Sequence, residues 1–238
     1  MKRDSRVLVV IPAYNEQYSI GKVLEEISHL HPHVDTLVVD DGSTDATAQI
    51  AKEKGAKVIS HSANLGYTAA LQTGRIHALD TGYDYLVFVD ADGQHQPSDM
   101  SRVLEPLVSG EADQVRGSRV LGKYEGEESP YLRMFRWICS RLVSFKVRGK
   151  VTDATSGLKA ENRKVTQHFM EIYKTSKKIH ACNTNDIEEH LIAYKKGFKL
   201  TEVPVIMRSR VAGSTKCYST RQLLIFPMDL IRTFLRNL

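Results

Sequence analysis

Along the first ninety residues, short runs of consecutive apolar residues alternate with stretches in which apolar residues recur every three or four positions. Strands are predicted at Val7–Ile11, Leu37–Val39 and Leu86–Val89, because unbroken apolar runs of this length are typical of strands buried on both faces. A further short strand is predicted at Lys57–Ile59. Between the first two, apolar residues recur every three or four positions from Ile20 to Leu30, which predicts a helix. Strands that alternate with helices form parallel sheets through right-handed crossovers. The pattern therefore predicts an α/β fold with a mostly parallel sheet flanked by helices.

The second half of the chain continues this pattern with longer gaps. Further strands are expected at Asp113–Arg119 and Val203–Val205, and a helix is expected from Asp186 to Gly197. The segments 123–129 and 174–185 show neither the pattern of a strand nor the apolar spacing of a helix. We therefore predict mobile loops there, which could order over a substrate.

Acidic or polar residues follow three of the predicted strands. The carboxyl ends of parallel strands lie at one edge of a sheet, and ligands of α/β proteins bind in the crevice beyond that edge. Three acid-tipped strand ends favour a binding site over three unrelated turns. These residues are Asn15 and Glu16, Asp40 and Asp41, and Asp90 and Asp92.

The strand at Leu86–Val89 ends in Asp90-Ala91-Asp92-Gly93-Gln94-His95. Alternate residues of an extended segment point the same way, so both carboxylates can face one point. Carboxylate oxygens suit Mg²⁺ or Mn²⁺, which often bind through one or two carboxylates and substrate phosphates. Asp90, Asp92 and Gln94 are therefore candidate metal ligands, although a strand-end turn would use the same residue types.

Composition and charge narrow the function only slightly. The chain has 238 residues, 42% of them hydrophobic and 26% charged, and carries a net charge of +5. A mild basic excess fits a phosphate-bearing ligand, an anionic membrane or nucleic acid. No apolar stretch approaches the roughly 20 residues that span a bilayer, and no signal peptide is recognisable. Three widely spaced cysteines favour buried thiols over disulfides or zinc, so we expect a cytoplasmic protein.

Two common nucleotide-binding motifs are missing from the sequence. The first strand is not followed by Gly-x-Gly-x-x-Gly, and no Walker lysine loop is present. A dinucleotide oxidoreductase and a P-loop NTPase are thereby disfavoured. The strand ends supply carboxylates instead, which could act through a metal or accept hydrogen bonds from a base and a ribose.

Several motifs in a fixed order give the chain a resemblance to family 2 glycosyltransferases of the GT-A fold, and in particular to the dolichyl- and polyprenyl-phosphate sugar synthases. The resemblance runs from about Val7 to Thr215. The motifs are Pro12-Ala13-Tyr14-Asn15-Glu16, Asp40-Asp41-Gly42-Ser43-Thr44-Asp45, Asn64-Leu65-Gly66, the Asp90–His95 segment, Asp153–Leu158 and Arg210–Lys216.

The resemblance implies transfer of a hexose from a nucleoside-diphosphate sugar, with inversion at the anomeric carbon and with Mg²⁺ or Mn²⁺ as cofactor. It favours a UDP-sugar over GDP-mannose. It implies Asp92, Arg119, Asp153, Asp186 and Glu188 as catalytic residues. It implies nucleotide-sugar contacts from Pro12, Ala13, Tyr14, Glu16, Asp40, Asp41, Asn64, Gly66, Asp90, Ala91, Arg210 and Lys216.

The acceptor is a polyprenyl phosphate or a lipid-linked glycan if the resemblance extends to substrates. A lipid phosphate is already an anion and needs no strong general base, whereas a hydroxyl acceptor would need one from Asp153, Asp186 or Glu188. The alternatives are a soluble glycosyltransferase that acts on a saccharide or protein hydroxyl, and a basic module that binds membrane or nucleic acid. Carboxylates along the crevice would repel a polyanion, so we expect no nucleic-acid partner.

Two amphipathic segments are candidate surfaces for binding a membrane or another protein. After Ser129-Pro130, apolar residues from Tyr131 to Phe145 form a stripe beside several arginines, with Trp137 nearby. Residues 217–238 repeat the pattern, so we predict a GT-A domain at 1–216 and a helical extension at 217–238. Such helices could lie on a membrane, pack in a homodimer or bind a membrane protein, which would place the enzyme peripherally on the cytoplasmic face.

Overall fold

The computed structural model describes residues 5–126, 129–175 and 184–211, together with Leu230 and Thr233. The strands within these residues are β1 Val7–Ala13, β2 Asp35–Asp40, β3 Lys57–Ser60, β4 Tyr85–Phe88, β5 Gln114–Glu125, β6 Lys159–Asn162 and β7 Leu200–Arg208. The helices are α1 Ile20–Leu30, α2 Thr47–Glu53, α3 Tyr67–Thr81, α4 Met100–Val108, α5 Pro130–Lys146, α6 Arg163–Thr175 and α7 Asn185–Lys196.

The strands form one sheet in the order β3-β2-β1-β4-β6-β5-β7. β1 pairs in parallel with β2 and β4, β2 with β3, and β5 with β7. Only β6 runs antiparallel to its neighbours β4 and β5 among these pairs. The prediction of a mostly parallel sheet flanked by helices is confirmed.

Helices cover both faces of the sheet, which explains the unbroken apolar runs. Val7, Val9 and Ile11 of β1 join one buried cluster with residues of α1 and α4. Leu8 and Val10 point the other way and join a second cluster with residues of α3. A strand covered on both faces has no solvent side on which polar residues would alternate.

β1 runs through Pro12 to Ala13, two residues beyond the apolar run Val7–Ile11 from which it was predicted. The carbonyl oxygen of Val10 points toward β4, where it accepts from the Val89 amide. Backbone groups two residues apart on a strand point the same way, so the backbone nitrogen of Pro12 also points toward β4. β4 has already ended there, at Phe88. The missing amide hydrogen of Pro12 therefore removes no hydrogen bond from the sheet.

The segment 123–129 was wrongly expected to be a loop throughout. Lys123, Tyr124 and Glu125 belong to β5 and pair with β7, after a register shift that begins at Ser118. The shift breaks the period-two pattern, because a bulge changes which face each residue occupies. In the segment 174–185, Lys174 and Thr175 end α6 and Asn185 begins α7, while residues 176–183 lie outside the described part of the chain.

None of the helices described is both long and apolar enough to cross a bilayer. The predicted extension at 217–238 lies outside the described residues apart from Leu230 and Thr233. Leu230 is buried against α5 residues that include Cys139 and Val143. Cys139 is a free thiol whose pKa burial raises to about 12.

Candidate active site

The segments that follow β1 and β2 are joined by hydrogen bonds at the carboxyl edge of the sheet. Asn15 has a φ of 52°, in the left-handed region that asparagine tolerates. Its amide donates to Ser43 Oγ at 2.9 Å, and its Oδ1 accepts from the Thr44 amide at 2.8 Å. The Glu16 amide donates to Thr47 Oγ1 at 2.8 Å. The two motifs therefore form one wall, with Pro12 and Ala13 closing β1 and Tyr14 following them.

Asp40 and Asp41 are both buried in this wall. Asp40 Oδ1 accepts from the Ser43 amide at 3.0 Å. Asp41 accepts from the amides of Leu65 and Gly66 at 2.9 and 2.8 Å, and its Oδ1 lies 2.7 Å from His61 Nδ1. Asp41 thereby fixes the Asn64–Gly66 turn beside the strand end.

Asp90 and Asp92 follow β4 on the other side of β1. Tyr67 Oη, at the start of α3, donates to Asp90 Oδ1 at 3.3 Å. The Asp90 amide donates to Nδ1 of His95 at 3.2 Å, and Asp92 Oδ1 accepts from the Gln94 amide at 2.9 Å. Ala91 between them is buried. The segment is a closed turn with carboxylates at its rim.

Burial and mutual repulsion make a cation favourable at this turn. Burial and the charge of Asp186 raise the pKa of Asp90 to about 6, and burial together with Asp90 raises the pKa of Asp92. Burial lowers the pKa of His95 to about 4, so its imidazole is neutral near pH 7. The turn thus carries negative charge with little solvent to stabilise it.

Arg210 connects two of the predicted strand-end acids. Its Nη1 donates to Asp92 Oδ2 at 3.1 Å, and its Nη2 contacts Glu16 Oε1. The segment that carries Arg210 is held at the site, because the Val211 amide donates to the Asp92 carbonyl at 3.2 Å. Glu16 and Asp92 therefore share one cleft, as predicted. Lys216 lies outside the described residues.

Arg119 and Asp153 form a close pair on the β5 side of the site. Arg119 Nε lies 2.5 Å from Asp153 Oδ2, and the Asp153 side chain has no exposed surface. Glu202 of β7 holds this loop by accepting from the amides of Thr152 and Asp153, both at 2.8 Å. Asp153 therefore orients Arg119 in this arrangement and does not itself reach solvent.

Asp186 and Glu188, predicted together, have different surroundings on α7. Asp186 Oδ1 lies 2.8 Å from Lys159 Nζ and 3.7 Å from Arg116 Nη1, and its side chain is 20% exposed. Glu188 is buried. Positions two apart on a helix do not share a face. The geometry brings Asp186 toward Asp90 and leaves Glu188 inside the protein.

A buried group of charges behind Asp186 was missed from the sequence. Arg75 Nε lies 2.8 Å from Glu161 Oε1, and Arg75 Nη1 lies 2.7 Å from Glu189 Oε1. Lys159 Nζ lies 2.5 Å from Glu189 Oε2 and so continues the group to Asp186. One signal was available: Arg75 occupies a buried stripe of α3 with Leu71 and Ala78, where helical spacing calls for an apolar residue.

Asp90 and Asp92 supply carboxylate oxygens, and Gln94 an amide oxygen, of the kind that a divalent cation takes as ligands. Gln94 Nε2 donates to the Arg208 carbonyl at 3.2 Å, so its amide oxygen points away from that carbonyl. No group of three or more His, Cys, Asp or Glu side chains suited to a metal occurs among the described residues. Two carboxylates completed by phosphate oxygens are a usual Mg²⁺ arrangement.

Comparisons with known proteins identify the family of the chain. The family model of glycosyl transferase family 2 matches residues 8–170. A UDP-N-acetylglucosamine–dolichyl-phosphate N-acetylglucosaminyltransferase of Methanococcus voltae is 31% identical over 85% of this chain and 85% of its own. A polyprenol monophosphomannose synthase of Mycolicibacterium smegmatis is 32% identical over 91% of this chain and 82% of its own.

The fold has a counterpart among solved structures. Glucosyl-3-phosphoglycerate synthase of Mycobacterium tuberculosis, in complex with Mn²⁺, UDP and glucosyl-3-phosphoglycerate, superposes with a TM-score of 0.76 at 24% identity. The match covers 99% of this chain and 81% of that one. The sheet order, the acidic turn after β4 and the family match lead to one conclusion: the chain belongs to glycosyl transferase family 2, has the GT-A fold and is an enzyme.

Proposed function

We propose that the enzyme moves a hexose from a nucleoside-diphosphate sugar to a polyprenyl phosphate or other lipid-linked acceptor, with inversion at the anomeric carbon. The observation that carries this proposal is the meeting of Asp92, Glu16 and Arg210 in one cleft at the carboxyl edge of β1 and β4. Carboxylates and an arginine within one cleft suit a metal-bound diphosphate, since carboxylates bind the cation and the arginine binds the phosphate groups.

The donor occupies the edge formed by the first four strand ends. Asp90, Asp92 and Gln94 hold Mg²⁺ or Mn²⁺, which when bound stabilises the negative charge of the departing diphosphate. Arg210 and Lys216 contact its phosphates. The wall built from the two cross-linked motifs receives the base and ribose, together with the neighbouring Asn64–Gly66 turn and Ala91. The proposed contacts are Pro12, Ala13, Tyr14, Glu16, Asp40, Asp41, Asn64, Gly66 and Ala91.

The acceptor approaches from the side of Arg119 and Asp186. Asp153 is buried beneath Arg119, so it holds that guanidinium in place and makes no direct contact with an acceptor. Arg119 suits bidentate contact with a phosphate. Asp186 is the accessible carboxylate of the predicted acceptor-side set, whereas Glu188 is buried. A site with a guanidinium at the acceptor side favours an anionic acceptor.

The relatives support the same substrate classes. Two of them are named for transfer to dolichyl phosphate and for synthesis of a polyprenol phosphomannose. One relative is named for a UDP-sugar, which favours UDP over GDP. Because a polyprenyl phosphate is confined to a bilayer, we propose that the enzyme works peripherally at the cytoplasmic face of a membrane.

Calorimetry tests the donor site without any acceptor. We expect UDP to bind in the presence of Mn²⁺, and we expect Asp92→Asn to weaken that binding by at least about tenfold because a cation ligand is lost. Asp80→Asn, an exposed substitution on α3, is the matched control. Metal-independent binding that Asp92→Asn leaves unchanged would remove the metal assignment.

A transfer assay tests the acceptor. Nucleotide sugars that the enzyme hydrolyses are first identified, and each is then offered with a short polyprenyl phosphate or with a neutral prenyl alcohol. We expect transfer to the phosphate only, and loss of that transfer in Arg119→Ala. Transfer to the alcohol, or to a soluble saccharide, would instead identify a hydroxyl-acceptor enzyme with Asp186 as its candidate base.

A further inference from the structure

The outer face of α5 presents large apolar side chains to solvent. Cys139, Ser140 and Val143 form the buried face of this helix. The exposed apolar residues include Trp137 at 63% and Phe145 at 85%. The remaining members of this outer face are Tyr131, Met134, Ile138 and Leu142, each at least 40% exposed. Six large apolar side chains exposed on one helix face mark an interaction surface.

The same segment contains the basic excess of the whole chain. Residues 129–152 include six Lys or Arg and no Asp or Glu, which gives +6, whereas the complete chain carries +5. The rest of the chain is therefore close to neutral, at −1. The cations are Arg133, Arg136, Arg141, Lys146, Arg148 and Lys150. A basic helix with exposed aromatic residues matches an interface that is anionic at its surface and apolar beneath.

α5 is anchored directly to the acceptor side of the active site. The Ala154 amide donates to Ser140 Oγ at 3.1 Å, one residue after the Asp153 that pairs with Arg119. On the same inner face, Cys139 and Val143 pack with Ile187 of α7, next to Asp186. A surface bound to the outer face of α5 would thus lie beside the side chains proposed to receive the acceptor.

We propose that the outer face of α5 docks on an anionic lipid bilayer, with Trp137 and Phe145 entering the headgroup region. The exposed cations Arg133, Arg141, Arg148 and Lys150 contact lipid phosphates. This inference rests on the proposed function, because an enzyme with a lipid acceptor must take that acceptor from a bilayer. A second copy of the chain fits the face less well. In a two-fold dimer built on α5, each copy would bring the same dense positive charge to the other.

The sole tryptophan of the chain, Trp137, reports directly on this face. The full chain is mixed with phosphatidylcholine vesicles that contain phosphatidylglycerol, or with phosphatidylcholine alone. We expect co-sedimentation and a blue-shifted Trp137 emission with the anionic vesicles, and quenching by lipids brominated in the acyl chain. Added salt should weaken binding, because the attraction is partly electrostatic.

Matched variants separate this face from the rest of the surface. Phe145→Asp and Arg141→Glu should each lower vesicle binding by about tenfold. The first change places a charge where an apolar side chain enters the headgroup region, and the second replaces an attractive charge with a repulsive one. Leu30→Asp, at an exposed apolar position on α1, and Lys52→Glu, on α2, should leave binding unchanged.

The result also distinguishes this proposal from the proposed function. Nucleotide binding and donor hydrolysis need no vesicles, so their presence without vesicle binding would overturn the docking proposal alone. Emission from Trp137 that stays accessible to aqueous acrylamide with both kinds of vesicle would overturn it. So would a blue shift in buffer that grows with protein concentration together with a mass of two chains, because that result assigns the face to a homodimer.

Discussion

At the scale of single residues, the site depends on a close approach between Gly157 and Asp90. A Cβ at position 157 would lie 2.5 Å from Asp90 Oδ2, which is inside van der Waals contact. Gly157 belongs to the Asp153–Leu158 motif, and Asp90 belongs to the turn after β4. The absence of a side chain at Gly157 thus lets the acceptor-side motif pack directly against a proposed metal ligand.

Gly157→Ala tests this contact. We expect the added methyl group to displace the Asp90 carboxylate and to weaken Mn²⁺-dependent UDP binding by at least about tenfold, measured by calorimetry. Gly149→Ala is the control, because its Cβ would meet atoms no nearer than 3.6 Å. Equal UDP affinity in both variants and the parent would show that Asp90 has no part in donor binding.

Arg210 is a second residue whose contacts lead to a prediction. Its guanidinium lies against Asp92 and Glu16, so it neutralises a carboxylate that a divalent cation would also use. We expect Arg210→Gln to tighten Mn²⁺ binding in the absence of nucleotide, because the competing cation is gone. The same change should weaken UDP binding at saturating Mn²⁺, because a phosphate contact is lost.

Titration calorimetry with Mn²⁺ alone and then with UDP measures both effects. Arg208→Gln serves as the neighbouring control, since its Nη1 lies 3.6 Å from Glu26 Oε2, away from Asp92. A parallel loss of Mn²⁺ and UDP binding in Arg210→Gln would contradict the competition and would indicate that Arg210 simply maintains the cleft.

At the scale of elements, buried charges join α3, β6 and α7. Burial by itself raises the pKa of Glu189, but Arg75 and Lys159 outweigh it and hold that pKa well below its usual range. Arg75 bonds to Glu161 through two nitrogens, Nε and Nη2, at 2.8 and 3.0 Å. Removing one member of such a group leaves a buried charge without its partner, which costs more than the intact group contributes.

Arg75→Met should therefore lower the free energy of unfolding by about 3–5 kcal/mol. Urea denaturation measures this change. Replacing Glu161 by Gln in the same variant should recover part of the loss, because the carboxylate that Arg75 neutralised is then removed as well, whereas Glu189 keeps its pair with Lys159. Lys54→Met is the control: its pair with Glu25 is exposed, and exposed pairs contribute less than about 1 kcal/mol. A loss of that small size in Arg75→Met would contradict the reasoning.

At the scale of the whole molecule, a neutral buried histidine makes stability depend on pH. Burial and the charge of Arg116 lower the pKa of His190 to about 3. The unfolded chain takes up a proton at this histidine below about pH 6.5, whereas the folded protein does not. The contribution of His190 to the free energy of unfolding is therefore fully present at neutral pH. It is lost on acidification, by up to about 1.4 kcal/mol per pH unit.

His190→Gln should remove that contribution. Unfolding free energies measured between about pH 7 and pH 4 should fall less steeply than in the parent, by up to about 1.4 kcal/mol per pH unit at the acidic end. His33→Gln is the control, because His33 is exposed in the folded protein. Identical slopes in the parent and in His190→Gln would show that His190 is protonated equally in both states.

The sequence alone determined the parallel pairing of the first four strands and the edge of the sheet at which their acidic ends meet. The apolar runs at β1, β2 and β4 are unbroken because both faces of these strands are covered, and chain order then gives parallel pairing with the acidic ends together. Glu16 and Asp92 were predicted to share a cleft on this basis. The family resemblance added the substrate classes, which local spacing does not contain.

Only the tertiary structure decided which partner each charged side chain has. β6 reads Lys-Ala-Glu-Asn, a polar segment without strand periodicity, and its Lys159 and Glu161 are buried because α3 and α7 bring opposite charges to them. Asp153 was predicted as a catalytic carboxylate and candidate general base, and the structure encloses its side chain with Arg119. Hydrophobic periodicity records whether a position meets water, whereas a buried ion pair depends on residues distant in the chain, which local pattern cannot supply.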